Sequence, residues 1–341
     1  MKTLLYSFTI LEYLGGWKPL EWSTSIKGKL YDIYTLTITL AISTFCMSCI
    51  IDLFYTENFE DIVHNTSMSF TLIVVCSKLA LLKVKRNEII NIIALLDINV
   101  CRVRCAREAN IKFTYDQKAK NIINQYGGMV FIAVFVITSA SIFNNIPTKT
   151  LPISGWFPYH HTNSTGFWIA YFHQIIAHFF TAMIGFSFDS VIYGTMIQNC
   201  CQLKILKNRL ENFVEMIEEE KLNNKINGSV CTRRECEHKL IKQCVHHHWI
   251  ILQFSQQSND LFAPIIFMQY SFSCLVLCLS VQSSTKLVFM SPEFIFMILY
   301  LGCMLSQIYL FCWYGNEIII ESSGIHFAIY NMDWQVLTTR S

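Results

Sequence analysis

Charged residues are scarce in this chain of 341 residues. Only 15% are Asp, Glu, Lys or Arg, whereas soluble proteins contain about 25%. Prolines and glycines are also few, at six and 13, which leaves little room for a disordered or low-complexity segment. The net charge of +2 suggests no nucleic-acid partner. Because 53% of the residues are hydrophobic, we expect one bundle of apolar helices instead of soluble domains.

Six long apolar runs dominate the sequence. A helix needs about 20 mostly apolar residues to cross the hydrocarbon core of a bilayer. We therefore predict an all-α, polytopic transmembrane bundle embedded in a lipid bilayer, with spans at residues 33–55, 66–82, 126–147, 167–193, 261–284 and 294–315. The second span is the weakest, because it is short and contains Lys78. We expect the Lys78 ammonium to snorkel towards the same face as Lys83.

Basic residues are distributed very unevenly between the segments that connect these spans. The N-terminal segment has four, the loops after the second and fourth spans have nine each, and the tail has one, whereas the opposite side has two in total. By the positive-inside rule, residues 1–32, 83–125, 200–260 and 316–341 are predicted to be cytosolic. The outer segments contain no cysteine, so we expect most of the 14 cysteines to be free thiols.

Three local features have a specific interpretation: an acidic residue in the fourth span, the N-terminal apolar run and a glycosylation sequon. Asp189 follows the fourth apolar run, where an acidic residue suggests an ion pathway. We favour a structural role near the inner boundary, with the carboxylate paired or wetted. The first residues form an apolar run that Glu12 interrupts, so an amphipathic helix ending near Gly15 is a better interpretation than a cleaved signal peptide. Asn163 is the glycosylation sequon best placed in an outer loop.

The end of the chain has the most particular residue order. An apolar run stops there, and a segment with two glutamates one helical turn apart follows it. The pattern consists of Cys312, Gly315, Glu317, Glu321, Ser322, Ala328, Tyr330 and Trp334. Since no nucleophile or metal motif accompanies them, the glutamates are better interpreted as the polar face of a helix than as an acid/base pair. This pattern resembles the tail of the insect odorant receptors, and looser similarities extend over nearly the whole chain.

The resemblance implies an odorant-specific subunit of a ligand-gated, non-selective cation channel. In that family the subunit assembles with a shared co-receptor in the plasma membrane of olfactory neurons, and its cytosolic helix ends hold the subunits together. The family has seven spans, and its seventh helix, which lines the pore, normally follows the tail pattern. Here six spans are visible, so we expect residues 1–341 to give no odorant-evoked current, even with the co-receptor.

The resemblance also places a pocket in the outer half of the bundle, between the second, third, fourth and sixth spans. The side chains there are apolar or aromatic with a few polar groups, as expected for a small volatile ligand. The candidates for this pocket are Phe70, Thr138, Ser141, His178, Phe179, Phe296 and Tyr300. For any one of these residues, plain helix packing or lipid contact is the more common role.

Other classes of protein fit less well. A G-protein-coupled receptor has its N-terminus outside, and this chain has neither an Asp-Arg-Tyr nor an Asn-Pro-x-x-Tyr motif. A transporter usually has an internal repeat and broken helices. The cysteines and histidines near His246 lack zinc-ligand spacing, so we predict that no metal binds there. We also predict no other cofactor and no enzymatic activity, because the spans contain no cluster of His, Asp or Cys residues. A gustatory-type receptor of the same superfamily, or a truncated, non-conducting receptor product, remains an alternative.

Overall fold

The computed structural model describes residues 2–22, 25–56, 59–159, 164–226, 232–284 and 292–338. Within these ranges the chain is helical and contains no β-strand. Its α-helices are α1 (Lys2–Tyr13), α2 (Ile26–Asp52), α3 (Phe59–Val84), α4 (Arg86–Leu95), α5 (Ala106–Thr148), α6 (Ser164–Glu211), α7 (Phe213–Ile226), α8 (Arg233–Ser284) and α9 (Pro292–Tyr330). The all-α bundle that the apolar runs predict is thus confirmed. Asn163 lies outside the described residues, so its prediction stays as stated.

Six of these helices are long and apolar enough to cross a membrane, namely α2, α3, α5, α6, α8 and α9. Each predicted span falls on one of them, although residues 53–55 of the first span lie in the turn that follows α2. Four helices extend far beyond a single span, including α8 with 52 residues and α9 with 39. α5 has 43 residues and α6 has 48, which corresponds to about 65 and 72 Å at 1.5 Å per residue. The hydrocarbon core of a bilayer is only about 30 Å thick.

α6 is the central helix of the bundle and contacts α1, α2, α3, α5, α8 and α9. Every side chain from residue 184 to residue 195 is buried. Small residues in this stretch, including Gly185, Ser187 and Ser190, allow the neighbouring helices to approach closely. A helix that is buried on all faces holds its neighbours in place, and α6 therefore positions both sites described below.

The N-terminal helix packs against this centre. Leu4, Phe8 and Leu11 are at most 6% exposed, and they join the main hydrophobic cluster of α6. Past the end of α1, Gly15 adopts a positive φ of 74°, a conformation that glycine reaches without a steric penalty. The helix that the sequence predicts before Gly15 is confirmed, although its exposed face carries Leu5 and Tyr6 and is not strictly polar.

The outer surface of α2 is strongly apolar. Ile33, Leu36 and Leu40 lie at helical spacing along one face, and each is more than half exposed. A soluble protein rarely leaves such a continuous stripe uncovered. Contact of α2 with lipid acyl chains instead of water explains this exposed apolar stripe.

Candidate functional site

A group of helices lines a partly open cavity of about 160 Å³, here called the central cavity. α3, α5, α6, α8 and α9 each contribute side chains to it. The predicted pocket involves the second, third, fourth and sixth spans, which correspond to α3, α5, α6 and α9. The structure adds α8 and one residue of α2, Phe45. Apolar residues form most of its wall, including Val75, Val130, Ile137, Phe186 and Met304. The chemistry of this site is therefore that of a small hydrophobic compartment.

The seven candidate ligand residues divide into three groups. Phe70, His178 and Tyr300 line the central cavity. Thr138, Ser141 and Phe179 do not line it: the Ser141 hydroxyl lies 3.2 Å from the Tyr171 hydroxyl, and Phe179 is 37% exposed. The side chain of Phe296 lies outside the described residues. The ring of Phe70 stacks on Phe272, with centroids 4.7 Å apart, so an aromatic pair bridges α3 and α8 beside the cavity.

A buried ion pair faces the same cavity. The Lys78 Nζ lies 2.6 Å from Asp189 Oδ1, and the two side chains are only 2% and 1% exposed. Gln307 donates a hydrogen bond from Nε2 to the other carboxylate oxygen, so the pair links α3, α6 and α9. The pairing predicted for Asp189 is confirmed, while its position near the inner boundary stays a prediction. The prediction that Lys78 snorkels to the membrane surface is wrong, because its partner lies 111 residues away on a helix that packs inside the bundle.

Two further polar groups face the cavity. The Thr71 and Tyr300 hydroxyls lie 2.8 Å apart and satisfy each other. Gln269 is 6% exposed, and its side-chain oxygen has no hydrogen-bond partner within the described residues. Leaving an amide oxygen buried without a hydrogen bond destabilises the protein by about 1–3 kcal/mol. A ligand that donates a hydrogen bond to this oxygen would remove that cost, which would favour its binding. Gln269 was not among the sequence candidates, because a lone glutamine in an apolar run gives no sign of the direction in which it points.

A second buried ion pair lies outside the cavity, at the other end of α6. The pair is formed by Arg209 and Glu108. Together with the hydrogen-bonded His247 and Gln202, it is called the polar hub. All five guanidinium N–H groups of Arg209 are used. Two bond to Glu108 at 2.8 and 3.0 Å, two bond to the carbonyls of Val100 and Arg102, and one bonds to His247 Nδ1 at 3.1 Å. The hub joins α5, α6, α8 and the segment between α4 and α5.

His247 has a defined protonation state in the polar hub. Its Nδ1 faces a guanidinium donor, so the ring proton must be on Nε2, which lies 2.9 Å from the Gln202 side-chain oxygen. Burial and the positive charge of Arg209 lower the pKa of His247 from 6.5 to about 3. Its neighbour His246 is exposed and stacks on Trp249, so the consecutive histidines do not converge on one point.

The residues of the tail pattern lie along the last part of α9 and the short turn after it. Cys312 Sγ is 3.3 Å from the Tyr270 hydroxyl, which ties α9 to α8. Glu321 accepts a hydrogen bond from the Tyr115 hydroxyl at 3.3 Å and lies 3.7 Å from Lys204 Nζ. Tyr330 and Trp334 are 79% and 59% exposed. The remaining members of the pattern also lie on α9, and they are Gly315, Glu317, Ser322 and Ala328.

Long helices, an apolar exterior and an apolar cavity between the helices are typical of a multi-pass membrane protein. Residues 58–340 match the family model described as 7tm Odorant receptor. The chain therefore belongs to the odorant receptor family, which is a family of receptors and not of enzymes.

Individual relatives are distant. Odorant receptor 46a, isoform A, of Drosophila melanogaster is 24% identical over 261 residues, which covers 76% of this chain and 64% of the relative. Odorant receptor Or1 of Anopheles gambiae is 22% identical over 342 residues, covering 90% and 76%. The chain thus spans only part of the length of these relatives.

The fold is similar to that of the olfactory receptor OR5 from Machilis hrabei. The TM-score is 0.81 at 18% identity, and the similarity covers 96% of this chain and 82% of that one. For the structure of the same receptor in complex with eugenol, the TM-score is 0.76 at 17% identity, with 96% and 88% covered. At this identity the similarity establishes the architecture of the bundle, while the side chains around the cavity are particular to this chain.

Proposed function

We propose that this chain is the odorant-specific subunit of a ligand-gated cation channel, and that it binds a small volatile molecule in the central cavity. The observation that supports this most directly is the cavity itself, which is lined by apolar and aromatic side chains. An apolar cavity of roughly 150 Å³ can hold one benzene molecule. The 160 Å³ found here thus suits a molecule with one ring or a short chain.

The polar lining narrows the chemistry of the ligand. The Gln269 amide oxygen has no partner within the described part of the chain, whereas the Thr71–Tyr300 pair is satisfied. A ligand with one hydroxyl group can donate to Gln269 while its hydrocarbon part fills the apolar wall. The similar receptor from Machilis hrabei has been solved with eugenol, which is also a small aromatic molecule with a hydroxyl group.

A matched series of ligands tests this proposal on the purified chain in detergent. We would measure the dissociation constants of 4-ethylphenol, 4-ethylanisole and ethylbenzene by isothermal titration calorimetry. Loss of one hydrogen bond of about 1.4 kcal/mol weakens binding tenfold, so we expect the phenol to bind about tenfold more tightly than the other two. In Gln269→Leu this preference should disappear, while ethylbenzene binds as before.

Ser258→Ala is the matched control, because Ser258 is also on α8 and has a buried hydroxyl without a partner in the described ranges, but it does not line the cavity. This variant should keep the preference for the phenol. If none of the three molecules binds, the proposal of a ligand in the central cavity fails. If all three bind equally well to the unchanged protein, only the role of Gln269 fails.

Channel gating, the co-receptor and the cytosolic position of the N-terminus are part of the same proposal. They rest on membership of the odorant receptor family and on the uneven distribution of basic residues between the connecting segments. We would first sequence the transcript beyond the codon for Ser341 and look for about 20 further apolar residues. Ligand-evoked currents would then be compared for residues 1–341 and for any longer chain, each expressed with the co-receptor.

A current that requires both the co-receptor and the additional residues would support the proposed assembly. A robust current from residues 1–341 alone would contradict the expectation that the pore needs a further helix. For orientation, Asn163→Gln should remove a glycan that the unchanged chain acquires in cells. Glycosylation of an introduced sequon in the segment 83–125 instead would reverse the proposed orientation.

A further inference from the structure

A second cleft, of about 400 Å³, opens between the end of α1, the beginning of α2 and the end of α3. We call it the N-terminal cleft. It is separate from the central cavity and shares none of its lining residues. Three cationic side chains, Lys18, Lys83 and Arg86, line it, against the single carboxylate of Asp32. Such an excess of positive charge in one concave surface suits an anion.

The three cations are held in place by the protein itself. Lys18 Nζ lies 2.9 Å from Asp32, and Lys83 Nζ donates to the Thr39 hydroxyl at 2.8 Å. The Arg86 guanidinium lies 5.3 Å from the centre of the Trp17 ring and donates to the Lys18 carbonyl. Asp32 neutralises Lys18, so the net charge of the cleft comes from Lys83 and Arg86. The Lys83 ammonium and the Arg86 guanidinium each donate one hydrogen bond within the described residues, so each has further N–H groups that can bind a ligand.

One donor in the cleft lacks a partner altogether. Arg86 Nε is buried, and no acceptor within the described ranges reaches it. A guanidinium N–H that is removed from water and left unpaired is costly. A rotation of the Arg86 side chain would turn this N–H towards an oxyanion in the cleft, which would then accept a charge-assisted hydrogen bond from it. Lys83 adds a flexible ammonium on the same wall, which can contact a second oxygen of the same group.

The position of the cleft indicates the source of the anion. Lys83 follows directly after the predicted span at residues 66–82, where the apolar part of α3 ends. Leu36 belongs both to the cleft wall and to the exposed apolar stripe of α2 formed with Ile33 and Leu40. A molecule with an anionic head in the cleft can therefore lay a hydrocarbon chain along this stripe.

We propose that the N-terminal cleft binds the phosphate group of an anionic phospholipid, with Lys83 and Arg86 as its principal contacts. The acyl chains lie on the stripe of α2, and the head group joins α1, α2 and α3 at the membrane surface. This proposal is independent of the odorant site, because neither residue lines the central cavity. It concerns the lipid environment of the chain and not the volatile ligand.

Native mass spectrometry of the purified full chain tests the proposal. We would titrate dioleoyl phosphatidic acid and, as the neutral reference, dioleoyl phosphatidylcholine, and count the lipid molecules bound at each concentration. We expect one phosphatidic acid to bind at least about tenfold more tightly than phosphatidylcholine. Lys83→Gln should weaken it about tenfold, as when one charge-assisted hydrogen bond is lost, and Lys83→Gln with Arg86→Gln should remove the preference.

Lys85→Gln is the matched control. Lys85 is two residues from Lys83 and pairs with Glu88 at 2.6 Å, but it does not line the cleft. This variant should bind phosphatidic acid within about twofold of the unchanged chain, as expected for an exposed lysine outside the site. Because Arg86 also contacts Trp17, the thermal stability of the double variant must be measured. The single Lys83 variant, whose side chain is exposed, keeps the test valid if the double variant unfolds.

Three results would overturn the proposal. The first is equal binding of phosphatidic acid and phosphatidylcholine. The second is equal loss of affinity in the Lys83 and Lys85 variants, which would mean a general effect of surface charge. The third is binding of glycerol 3-phosphate as tightly as phosphatidic acid, because a free phosphate ester would then be the ligand and the stripe of α2 would contribute nothing.

Discussion

Within the described residues, two ion pairs are buried on both sides, and they have the same chemistry but very different surroundings. In the polar hub, every guanidinium donor of Arg209 has an acceptor, and the pair is enclosed by four segments of the chain. Lys78 and Asp189, by contrast, face an open cavity, and the Lys78 ammonium has one carboxylate partner. A fully satisfied buried network favours a single arrangement, whereas an incompletely surrounded pair can respond to a ligand. We therefore expect the hub to tolerate substitution less well than the cavity pair.

The largest effect is expected when the hub is broken. Arg209→Met leaves the Glu108 carboxylate buried without its cation and removes the donors to two backbone carbonyls and to His247. We expect a loss of about 5 kcal/mol or more, which is comparable to the whole stability of many domains. Size-exclusion chromatography with fluorescence detection should show little monodisperse protein. Arg102→Met, which removes an exposed side chain paired with Asp97, should behave like the unchanged chain.

The cavity pair should respond differently to double replacement. Lys78→Met or Asp189→Leu alone leaves one buried charge and should cost about 3–5 kcal/mol. Because few other groups depend on this pair, Lys78→Met with Asp189→Leu should recover much of the loss in thermal stability. Arg209→Met with Glu108→Leu should recover little, since the carbonyls of Val100 and Arg102 remain without donors. Equal recovery in both double variants would remove the distinction between the two sites.

A moderate effect of pH should originate in the hub. The pKa of His247 is lowered to about 3 in the fold, so between pH 6.5 and 3 the unfolded chain binds one more proton than the folded chain. This contribution to stability is present above pH 6.5 and is lost as the pH falls. At pH 5 the loss is about 2 kcal/mol, at 1.36 kcal/mol per unit. Melting temperatures between pH 7 and 5 should fall less in His247→Gln than in the exposed control His246→Gln, and identical slopes would contradict this assignment.

The smallest effect concerns two adjacent glycines of α5. A Cβ at Gly127 would lie 2.6 Å from the ring of Phe186, which lines the central cavity, whereas a Cβ at Gly128 meets nothing within 4 Å. Gly127→Ala should push this ring into the cavity, cost about 1 kcal/mol and weaken ligand binding. Gly128→Ala should leave binding unchanged and slightly favour the helix. Unchanged binding in both variants would show that the ring accommodates the extra methyl group without narrowing the cavity.

The comparison also shows which features a sequence can predict. The helices are predicted well, because an apolar run of about 20 residues has few other uses. The direction in which each side chain points is not predicted, because in a bilayer the inner and outer faces of a helix are both apolar. His178 faces the cavity while its neighbour Phe179 is exposed, and no pattern in the sequence distinguishes them.

Long-range pairing is similarly invisible in the sequence. Arg209 is one of nine basic residues in the loop after the fourth span, and nothing in the sequence separates it from the exposed ones. Its partner Glu108 is 101 residues away. The snorkelling predicted for Lys78 is wrong for the same reason. A lysine in an apolar run is expected to reach the membrane surface when the sequence does not reveal an acidic partner.

The unbroken length of α6 has a mechanical consequence. Asp189 at the cavity and Arg209 in the hub lie on the same helix, 20 residues or about 30 Å apart. A rigid rod of this length works as a lever. Tilting it by about 5° around Asp189 would move Arg209 by about 3 Å, as far as the length of one hydrogen bond. A displacement of α6 at the cavity would therefore be transmitted to the polar hub, about 30 Å away.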